Sequence, residues 1–171
     1  MCEIRLRKVH AGDVALMHQL ENDYRHWLVS GIQAPIPLTD FETFVTPELQ
    51  DVFTQLQERL IIENGTETLG YIDLYDVDFN HRRAGVGILI APMYRNNGYA
   101  KKAIALLKNY AADTLLLRML YATIHTTNLP CIAAFEANAF CCAGTLKNWD
   151  MHTSGFVDVK MYQTFLCVNA Q

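Results

Sequence analysis

The sequence predicts a single α/β domain over residues 1–171, with a mixed sheet of about seven strands and about four helices. Three observations carry this prediction. The chain has 171 residues, 51% of them hydrophobic, which suits one domain with a full-sized core. Apolar residues recur with the period of a strand in some segments and of a helix in others. The two kinds of segment alternate along the chain, which is typical of a sheet covered by helices.

The N-terminal part of the chain is predicted to hold one strand followed by two helices. Residues 2–9 alternate apolar and charged side chains, as a strand does. Apolar positions over residues 14–24 fit a helical face, and Asp13 stands where a capping residue is expected. Residues 29–47 are interrupted by glycine and prolines, which favours a loop with short helical pieces. A second helix is predicted over residues 47–56.

The remainder of the chain is predicted to hold six strands and two helices. Residues 59–62 and 68–75 flank Asn64-Gly65, which predicts a hairpin. Residues 84–91 are almost continuously apolar, which indicates a strand buried on both faces. After a turn over 92–97, the other predicted elements are a helix over 100–111, a strand over 119–124, a helix over 128–138, and strands over 140–146 and 156–165.

Charge is distributed unevenly along the chain. The formal net charge is −4. Residues 1–80 contain 14 acidic and 5 basic residues, whereas residues 81–171 contain 4 acidic and 9 basic residues. The two parts therefore carry −9 and +5. An acidic chain is unlike a generic nucleic-acid-binding protein, so no nucleic-acid partner is expected.

Cysteine usage and hydropathy predict a cytoplasmic protein with reduced thiols. The five cysteines are odd in number and irregularly spaced, which argues against a disulfide framework. Cys141 and Cys142 are too close for a C-x-x-C clip, so no metal site is predicted. No apolar run follows the charged N-terminus, and the longest uncharged stretch, residues 119–135, is too polar to be a good membrane span. No membrane partner is expected.

The segment Arg95-Asn96-Asn97-Gly98-Tyr99-Ala100 stands between a predicted buried strand and a predicted helix. The first N–H groups of a helix are unpaired and carry the positive end of its dipole, so they attract phosphate. Gly98 allows a tight turn, and Lys101 and Lys102 add positive charge beside it. The segment predicts a phosphate-binding loop. The alternative is an ordinary strand-to-helix turn with solvated lysines.

Two motifs resemble the GNAT superfamily of N-acetyltransferases. Residues 70–74, 82–90 and 94–100 are similar to the acetyl-CoA motif of that family. The run Asn128-x-x-Cys131-x-x-x-Phe135-Glu136-x-x-x-Phe140 is similar to the family's Asn-x-x-Ser-x-x-x-Tyr-x-x-x-Gly-Phe. The resemblance spans residues 4–165 and is greatest to the branch that contains spermidine acetyltransferases and ribosomal-protein N-terminal acetyltransferases.

The resemblance implies acetyl-CoA as co-substrate, bound in a cleft where the central strands splay apart. In the family, the backbone equivalent to residues 88–90 holds the pantetheine arm. The loop equivalent to residues 95–100 holds the pyrophosphate through its N–H groups. Phe135 has the alternative of a core aromatic residue. The implied cofactor-binding residues are Ile88, Leu89, Ile90, Arg95, Asn96, Asn97, Gly98, Tyr99, Ala100, Asn128, Cys131 and Phe135.

The usual catalytic side chains of the family are missing. Family members often have a glutamate base on the fourth strand and a tyrosine acid on the following helix, where this chain has Gly85 and Phe135. Candidate substitutes are His125, Cys131 and His81, each with a structural alternative. The resemblance implies direct attack by a neutral amine in a ternary complex, since positioning and desolvation supply much of the rate. A second hypothesis is an acyl-CoA-binding module with little or no turnover.

The acceptor is expected to be a primary amine, either a polyamine-like small molecule or a protein N-terminus. Trp27 is a candidate wall of the acceptor cleft, with a core position as the alternative. Asp73, Asp76 and Asp78 are predicted to share one face of a strand, and one interpretation is that they attract a cationic amine. The alternative is the solvated face of an edge strand. By analogy with the family, a homodimer that pairs through the C-terminal strands is expected.

Overall fold

The structure is built around one sheet with helices on both of its faces. The computed structural model describes residues 3–23, 35–46, 50–152 and 155–167. Its strands are β1 (Arg5–Lys8), β2 (Glu58–Glu63), β3 (Thr68–Asp78), β4 (Arg83–Ile90), β5 (Met119–His125), β6 (Cys141–His152) and β7 (Gly155–Phe165). The helices in this part of the chain are α1 (Val14–Glu21), α2 (Leu38–Phe44), α3 (Val52–Gln55), α4 (Tyr99–Asp113) and α5 (Leu129–Glu136).

The sheet is mixed. Its strands lie in the order β1-β2-β3-β4-β5-β7-β6. Neighbouring strands are antiparallel except β4 and β5, which are parallel and are connected through α4. This arrangement confirms the predicted α/β fold with a mixed sheet of seven strands.

Two apolar cores lie on opposite faces of the sheet. The larger core contains Ile72 and Leu74 of β3 together with Leu107 of α4 and residues of α5. The smaller core contains Tyr71 of β3 together with residues of α1 and Phe41 of α2. Successive strand residues point to opposite faces, so each strand residue can be assigned either to the side of the sheet covered by α1 and α2 or to the other side. We call the former side the α1/α2 face.

The parallel strands β4 and β5 separate soon after they meet. They pair only at Arg83 with Met119, Ala84 with Leu120 and Gly85 with Tyr121. Beyond that point, residues 86–90 of β4 and 122–125 of β5 diverge, and within the described part of the chain the β5-facing backbone edge of β4 has no strand partner there. We call this gap the fork. It is the splayed cleft that the family resemblance implies.

Several predicted elements differ in detail from the observed ones. Residues 87–89 are only half-buried, because β5 has left the side of β4 at the fork. The predicted helix over 47–56 is reduced to α3, although residues 47–49 lie outside the described ranges. β6 extends to His152 across two irregularities in its pairing with β7. Within the described residues, no helix is long and apolar enough to cross a bilayer.

Asp13 occupies a different role from the predicted one. It precedes α1, but its side chain makes no capping hydrogen bond to that helix. Instead its carboxylate accepts hydrogen bonds from the His10 N–H at 2.9 Å and from two nitrogens of the Arg7 guanidinium at 2.7 and 2.8 Å. Arg7 also donates to Glu63 at 2.6 Å. Arg7 of β1 therefore links Asp13 to Glu63 of β2 in one ion-pair cluster.

This cluster makes stability depend on pH on the acid side. Burial tends to raise the pKa of Asp13, but hydrogen bonds from Arg7 and His10 outweigh it, so the pKa lies below its usual value. The hydrogen bond from Arg7 likewise lowers the pKa of Glu63. A carboxyl group whose pKa is lower in the folded state stabilises the fold above its unfolded pKa and ceases to do so as the pH falls through the folded value.

We expect the free energy of unfolding to change little from pH 7 to about pH 5 and to fall steeply below about pH 4, where carboxyl groups of the unfolded chain protonate. Urea titrations at a series of pH values measure it. The Asp13→Asn variant should be less stable at pH 7 and should lose less on acidification. Parallel stability curves for the two proteins would contradict this account.

Candidate active site

A cleft of about 700 Å³ lies at the open end of the fork, between α4 and α5. It brings together most of the residues that the resemblance implies for cofactor binding. Asn97 and Phe135 are the two implied residues that do not line it. The residues lining the cleft are Ile88, Leu89, Ile90, Tyr94, Arg95, Asn96, Gly98, Tyr99, Ala100, Lys101, Asn128, Pro130, Cys131, Ala133, Ala134 and Ala137.

The loop before α4 has a backbone shaped by two left-handed residues. Asn96 has φ 62° and Gly98 has φ 75°, so the chain turns sharply into the helix. Asn97 donates from its side chain to the carbonyl oxygens of Tyr94 at 3.2 Å and Arg95 at 2.9 Å. Arg95 donates through Nε to the carbonyl oxygen of Ile90 at 3.0 Å. These two side chains brace the loop against the end of β4.

The start of α4 is suited to bind an anion. Gly98 is the N-terminal cap residue and no side chain caps the helix. The first turn contains no acidic residue, and the residues lining the cleft include Arg95 and Lys101 but no carboxylate. Unpaired N–H groups, the helix dipole and positive side chains therefore act together. This geometry supports the phosphate-loop interpretation over an ordinary turn.

Asn128 and Cys131 lie on the α5 side of the cleft. The side chain of Asn128 caps α5 by accepting a hydrogen bond from the Cys131 N–H at 3.3 Å. Asn128 thus has a structural role in addition to its place in the cleft. Burial raises the pKa of the Cys131 thiol to about 11. A thiol with so high a pKa is almost entirely protonated at neutral pH, which makes Cys131 a poor nucleophile.

Alkylation at neutral pH should distinguish this buried thiol from the exposed ones. We expect iodoacetamide at pH 7 to label the exposed Cys141 and Cys142 much faster than Cys131, because Cys131 is buried and its pKa is raised to about 11. Peptide mass spectrometry follows each site, and labelling of Cys131 should accelerate steadily from pH 7 to pH 10. Equal rates at pH 7 would show that Cys131 is an activated thiol.

The two histidine candidates lie outside the cleft. His125 is buried at the end of β5, with Nε2 2.8 Å from the Asp150 carboxylate. His81 lies in the exposed turn between β3 and β4, where its backbone N–H donates to Asp78 at 2.9 Å. That turn is at the opposite end of β4 from the phosphate loop, roughly 20 Å away at the rise of a strand. Neither residue lines the cleft.

Phe135 and Trp27 were both predicted with two alternatives, and the structure describes only Phe135. Phe135 is 1% exposed and packs edge-to-face on Phe140 with ring centroids 4.9 Å apart. The inward face of α5 places it in the larger core, so the structure favours the packing alternative. Trp27 lies outside the described residues. Among those residues, no group of three or more His, Cys, Asp or Glu side chains could hold a metal ion.

A second, smaller pocket of about 280 Å³ lies on the α1/α2 face, and we call it the acceptor-side pocket. Its lining combines aromatic and acidic side chains with one arginine. The residues lining it are Glu21, Ile36, Asp40, Phe41, Phe44, Gln57, Glu58, Arg59, Asp73, Leu74 and Tyr75.

The predicted acceptor residue Asp73 is part of a buried ion-pair network. Arg59 donates to both Asp73 oxygens, at 2.8 and 2.7 Å, and lies 2.9 Å from Glu21. Its guanidinium also lies 3.9 Å from the centroid of the Tyr71 ring. Burial alone would lower the pKa of Arg59, but the charge and hydrogen bonds of Asp73 raise it. The Asp73 carboxylate that lines this pocket is therefore paired with the Arg59 guanidinium.

Asp76 and Asp78 complete the predicted acidic face through an irregularity in β3. A one-residue bulge at Asp76, where φ is 48°, shifts the alternation of the strand, so Val77 joins Leu74 in the larger core. Asp78 consequently lies on the same face as Asp73. The alternative of an edge strand is wrong, because β3 pairs with β2 and β4. Asp78 accepts from the His81 N–H, and Asp76 lies 3.4 Å from the Tyr121 hydroxyl.

Three residues near the fork were not identified as site candidates from their positions in the sequence. Arg59 and Glu21 belong to separate elements, and nothing in their spacing indicates an ion pair. Tyr75 had a detectable signal, because it is in register with Gly85 in an otherwise apolar strand. An isolated glycine in a strand often marks a place where another group approaches closely.

Comparison with known proteins agrees with this geometry. Residues 3–140 match the acetyltransferase (GNAT) domain family. The spermidine N(1)-acetyltransferase of Escherichia coli strain K12 is 27% identical over 148 residues, covering 85% of this chain and 76% of that protein. The enzyme of that name from Vibrio cholerae is 24% identical over 164 residues, covering 92% and 90%.

Solved structures show the same fold. The crystal structure of spermidine N-acetyltransferase from Vibrio cholerae in complex with CoA and spermine superimposes with a TM-score of 0.85 at 22% identity, covering 96% of each chain. A dodecameric structure of spermidine N-acetyltransferase from Vibrio cholerae has a TM-score of 0.80 at 22% identity, covering 95% and 93%. With the family match extending over most of the sequence, the chain belongs to the GNAT acetyltransferase family.

Proposed function

We propose that this protein transfers the acetyl group of acetyl-CoA to a primary amine by direct attack in a ternary complex. The observation that carries the proposal is the fork, which opens at one end onto a cleft lined by Arg95 and Lys101 and by no carboxylate. The acceptor-side pocket lies near it on the α1/α2 face. Two substrates that approach from different sides of the sheet can meet where β4 and β5 part.

The cleft offers each part of the co-substrate a matching surface. The unpaired edge of β4 at residues 88–90 presents N–H and C=O groups to an amide-containing pantetheine arm. The first turn of α4 presents N–H groups to the pyrophosphate. The apolar side of α5, including Cys131 and Ala134, closes the cleft against water.

The reaction makes limited chemical demands on the chain. An amine in its neutral form attacks the thioester carbon, the carbon–sulfur bond breaks, and the amine proton passes through water to the thiolate sulfur. Holding the two reactants together and excluding water can supply much of the rate. With Gly85 and Phe135 at the usual acid–base positions, this chain depends on such positioning more than a typical member does.

We propose a polyamine as the acceptor class, in keeping with the names of the relatives. The acceptor-side pocket supports this, because its described lining has more carboxylates than cations. A protein N-terminus, which also bears one amine, is the second acceptor to be tested. A chain that binds acyl-CoA with little turnover is the second candidate function, favoured by the absence of the usual acid and base.

The experiment measures thiol release from acetyl-CoA with spermidine, spermine, a diamine and short peptides with free N-termini. Calorimetry with CoA runs in parallel. Turnover with the polyamines supports the proposal, and turnover with peptides alone changes the acceptor. CoA binding without turnover on any amine supports the binding module. Absence of CoA binding overturns both functions.

We propose further that the protein acts in the cytoplasm and forms a homo-oligomer through its C-terminal strands. β6 is an edge strand that carries exposed Trp149 and Met151, and Phe156 on β7 is exposed beside them. Large apolar side chains grouped on an edge are typical of a covered surface. Sedimentation of the purified protein distinguishes an assembly from a monomer.

A further inference from the structure

Two glycines of β4 leave the α1/α2 face beside the fork without side chains from that strand. Gly85 and Gly87 both lie on that face, opposite Tyr75 and Asp73 of β3. A Cβ atom added to Gly87 would be in ordinary contact with the Asp73 side chain, 3.7 Å from its Cβ and 3.9 Å from its Oδ2. A Cβ added to Gly85 would lie 2.7 Å from Tyr75 Cδ2 and closer still to Cε2 and Cζ. The Tyr75 ring therefore occupies the space that any side chain at position 85 would need.

The Tyr75 side chain reaches from β3 across β4 to β5. Its ring packs edge-to-face on Tyr121, with centroids 5.9 Å apart. Thr123 of β5 lies close enough to the Tyr75 hydroxyl to influence its pKa. Tyr121 is the last residue of β5 in register with β4, and Thr123 is two residues further on. The phenol oxygen is therefore at the fork, on the side of the acceptor-side pocket, which Tyr75 also lines.

The hydroxyl is set up as a hydrogen-bond donor. Burial raises the pKa of Tyr75, so the phenol is neutral at physiological pH. Thr123 acts in the opposite direction and lowers the pKa. A neutral phenol carries a proton that it can donate to an acceptor.

The surrounding backbone is strained in a way that maintains this arrangement. Asp76 has a left-handed φ of 48°, a conformation that is unfavourable for a residue other than glycine. The bulge there places the Asp76 carboxylate near the Tyr121 hydroxyl, and the Val77 N–H donates to the Leu56 carbonyl at 2.8 Å. Such strain concentrates at functional sites, because surrounding contacts must hold it in place.

We propose that Tyr75, whose ring fills the space beside Gly85, is a catalytic residue that donates a hydrogen bond from its hydroxyl to the thioester carbonyl oxygen at the fork. The inference rests on the proposed function. As the amine nitrogen bonds to the carbonyl carbon, that oxygen gains negative charge, and the Tyr75 hydroxyl stabilises it. The oxygen loses this charge when the carbon–sulfur bond breaks, and Tyr75 keeps its proton throughout. The amine proton reaches the thiolate through water.

The test is the Tyr75→Phe variant, which removes the hydroxyl and keeps the ring over Gly85. We expect kcat for polyamine acetylation to fall about 100-fold, the usual effect of losing one oxyanion donor. The calorimetric affinity for CoA, which lacks the thioester carbonyl, should stay within about 2-fold. Tyr162→Phe is the matched control, since it removes another tyrosine hydroxyl, one that donates to Glu136 on the opposite side of the sheet. It should leave kcat near the wild-type value.

The outcomes separate this inference from the function on which it rests. A Tyr75→Phe kcat within about 3-fold of wild type, less than 1 kcal/mol, would overturn the role of Tyr75 while the acetyltransferase function stands. Equal losses of kcat, CoA affinity and melting temperature in both variants would show a purely structural hydroxyl and would also overturn it. A wild-type protein that binds CoA and turns over no amine refutes the inference together with the proposed enzyme. Loss of kcat alone in Tyr75→Phe supports it.

Discussion

Replacing Gly85 by alanine is expected to lower the free energy of unfolding by about 1–3 kcal/mol, the usual cost of overpacking a well-filled site. The added methyl group would overlap the ring of Tyr75, whose Cδ2 atom lies 2.7 Å from the Cβ position. The ring is held by Tyr121 on β5, so it must leave this contact to make room. Urea denaturation measures the loss.

Two comparisons show whether Tyr75 is the cause. Gly87→Ala places a methyl group on the same face of the same strand in ordinary contact, so its free energy of unfolding should remain within about 0.5 kcal/mol of wild type. In a Tyr75→Ala background, Gly85→Ala should cost almost nothing, since the two residues no longer compete for space. If the loss persists in that background, the ring is not what excludes a side chain at position 85.

The same competition accounts for the missing carboxylate of β4. A glutamate at position 85 requires the space of the Tyr75 ring, so this chain has room for one of the two groups. Gly85 is then better understood as a consequence of Tyr75 than as the loss of a base. The absence of a glutamate is therefore compatible with an active enzyme, provided that another group at the fork assists the reaction.

The Gly98→Val variant is expected to reduce CoA affinity at least tenfold. Gly98 has φ 75°, a conformation that a β-branched residue rarely adopts, so valine forces the loop out of its anion-binding shape. The N–H groups at the start of α4 then no longer converge on one point. Calorimetry gives the affinity, and a tenfold change corresponds to about 1.4 kcal/mol of binding free energy.

Gly65→Val is the matched control for this variant. Gly65 also has a left-handed φ, 92°, and also has no neighbour within 4 Å of the Cβ position. It lies in the turn between β2 and β3, outside the residues that line the cleft. The strain on folding should be similar in the two variants, and CoA affinity should fall only in Gly98→Val. Unchanged affinity in Gly98→Val would refute the phosphate-loop assignment.

The charge pattern of the sequence can now be related to surfaces. The residues lining the cleft come from the basic second part of the chain and include Arg95 and Lys101 without a carboxylate. Those lining the acceptor-side pocket come from the acidic first part, but Arg59 neutralises part of that charge. The positive charge of the second part is therefore found at the cleft, whereas the negative charge of the first part is reduced at the acceptor-side pocket by an arginine that pairs with Asp73.

The sequence by itself determined the fold class, the order of the strands along the chain and the loop before α4. Periodicity is a local property, and the motif of residues 95–100 is contiguous, so both can be recognised without three-dimensional contacts. Tertiary structure alone decided which residues oppose each other across strands. The Tyr75–Gly85 contact depends on the register of β3 with β4, and the Arg59–Asp73 pair on that of β2 with β3. The location of Phe135 in the core depends on how α5 packs on the sheet. Such choices are made by long-range packing, which no local pattern encodes.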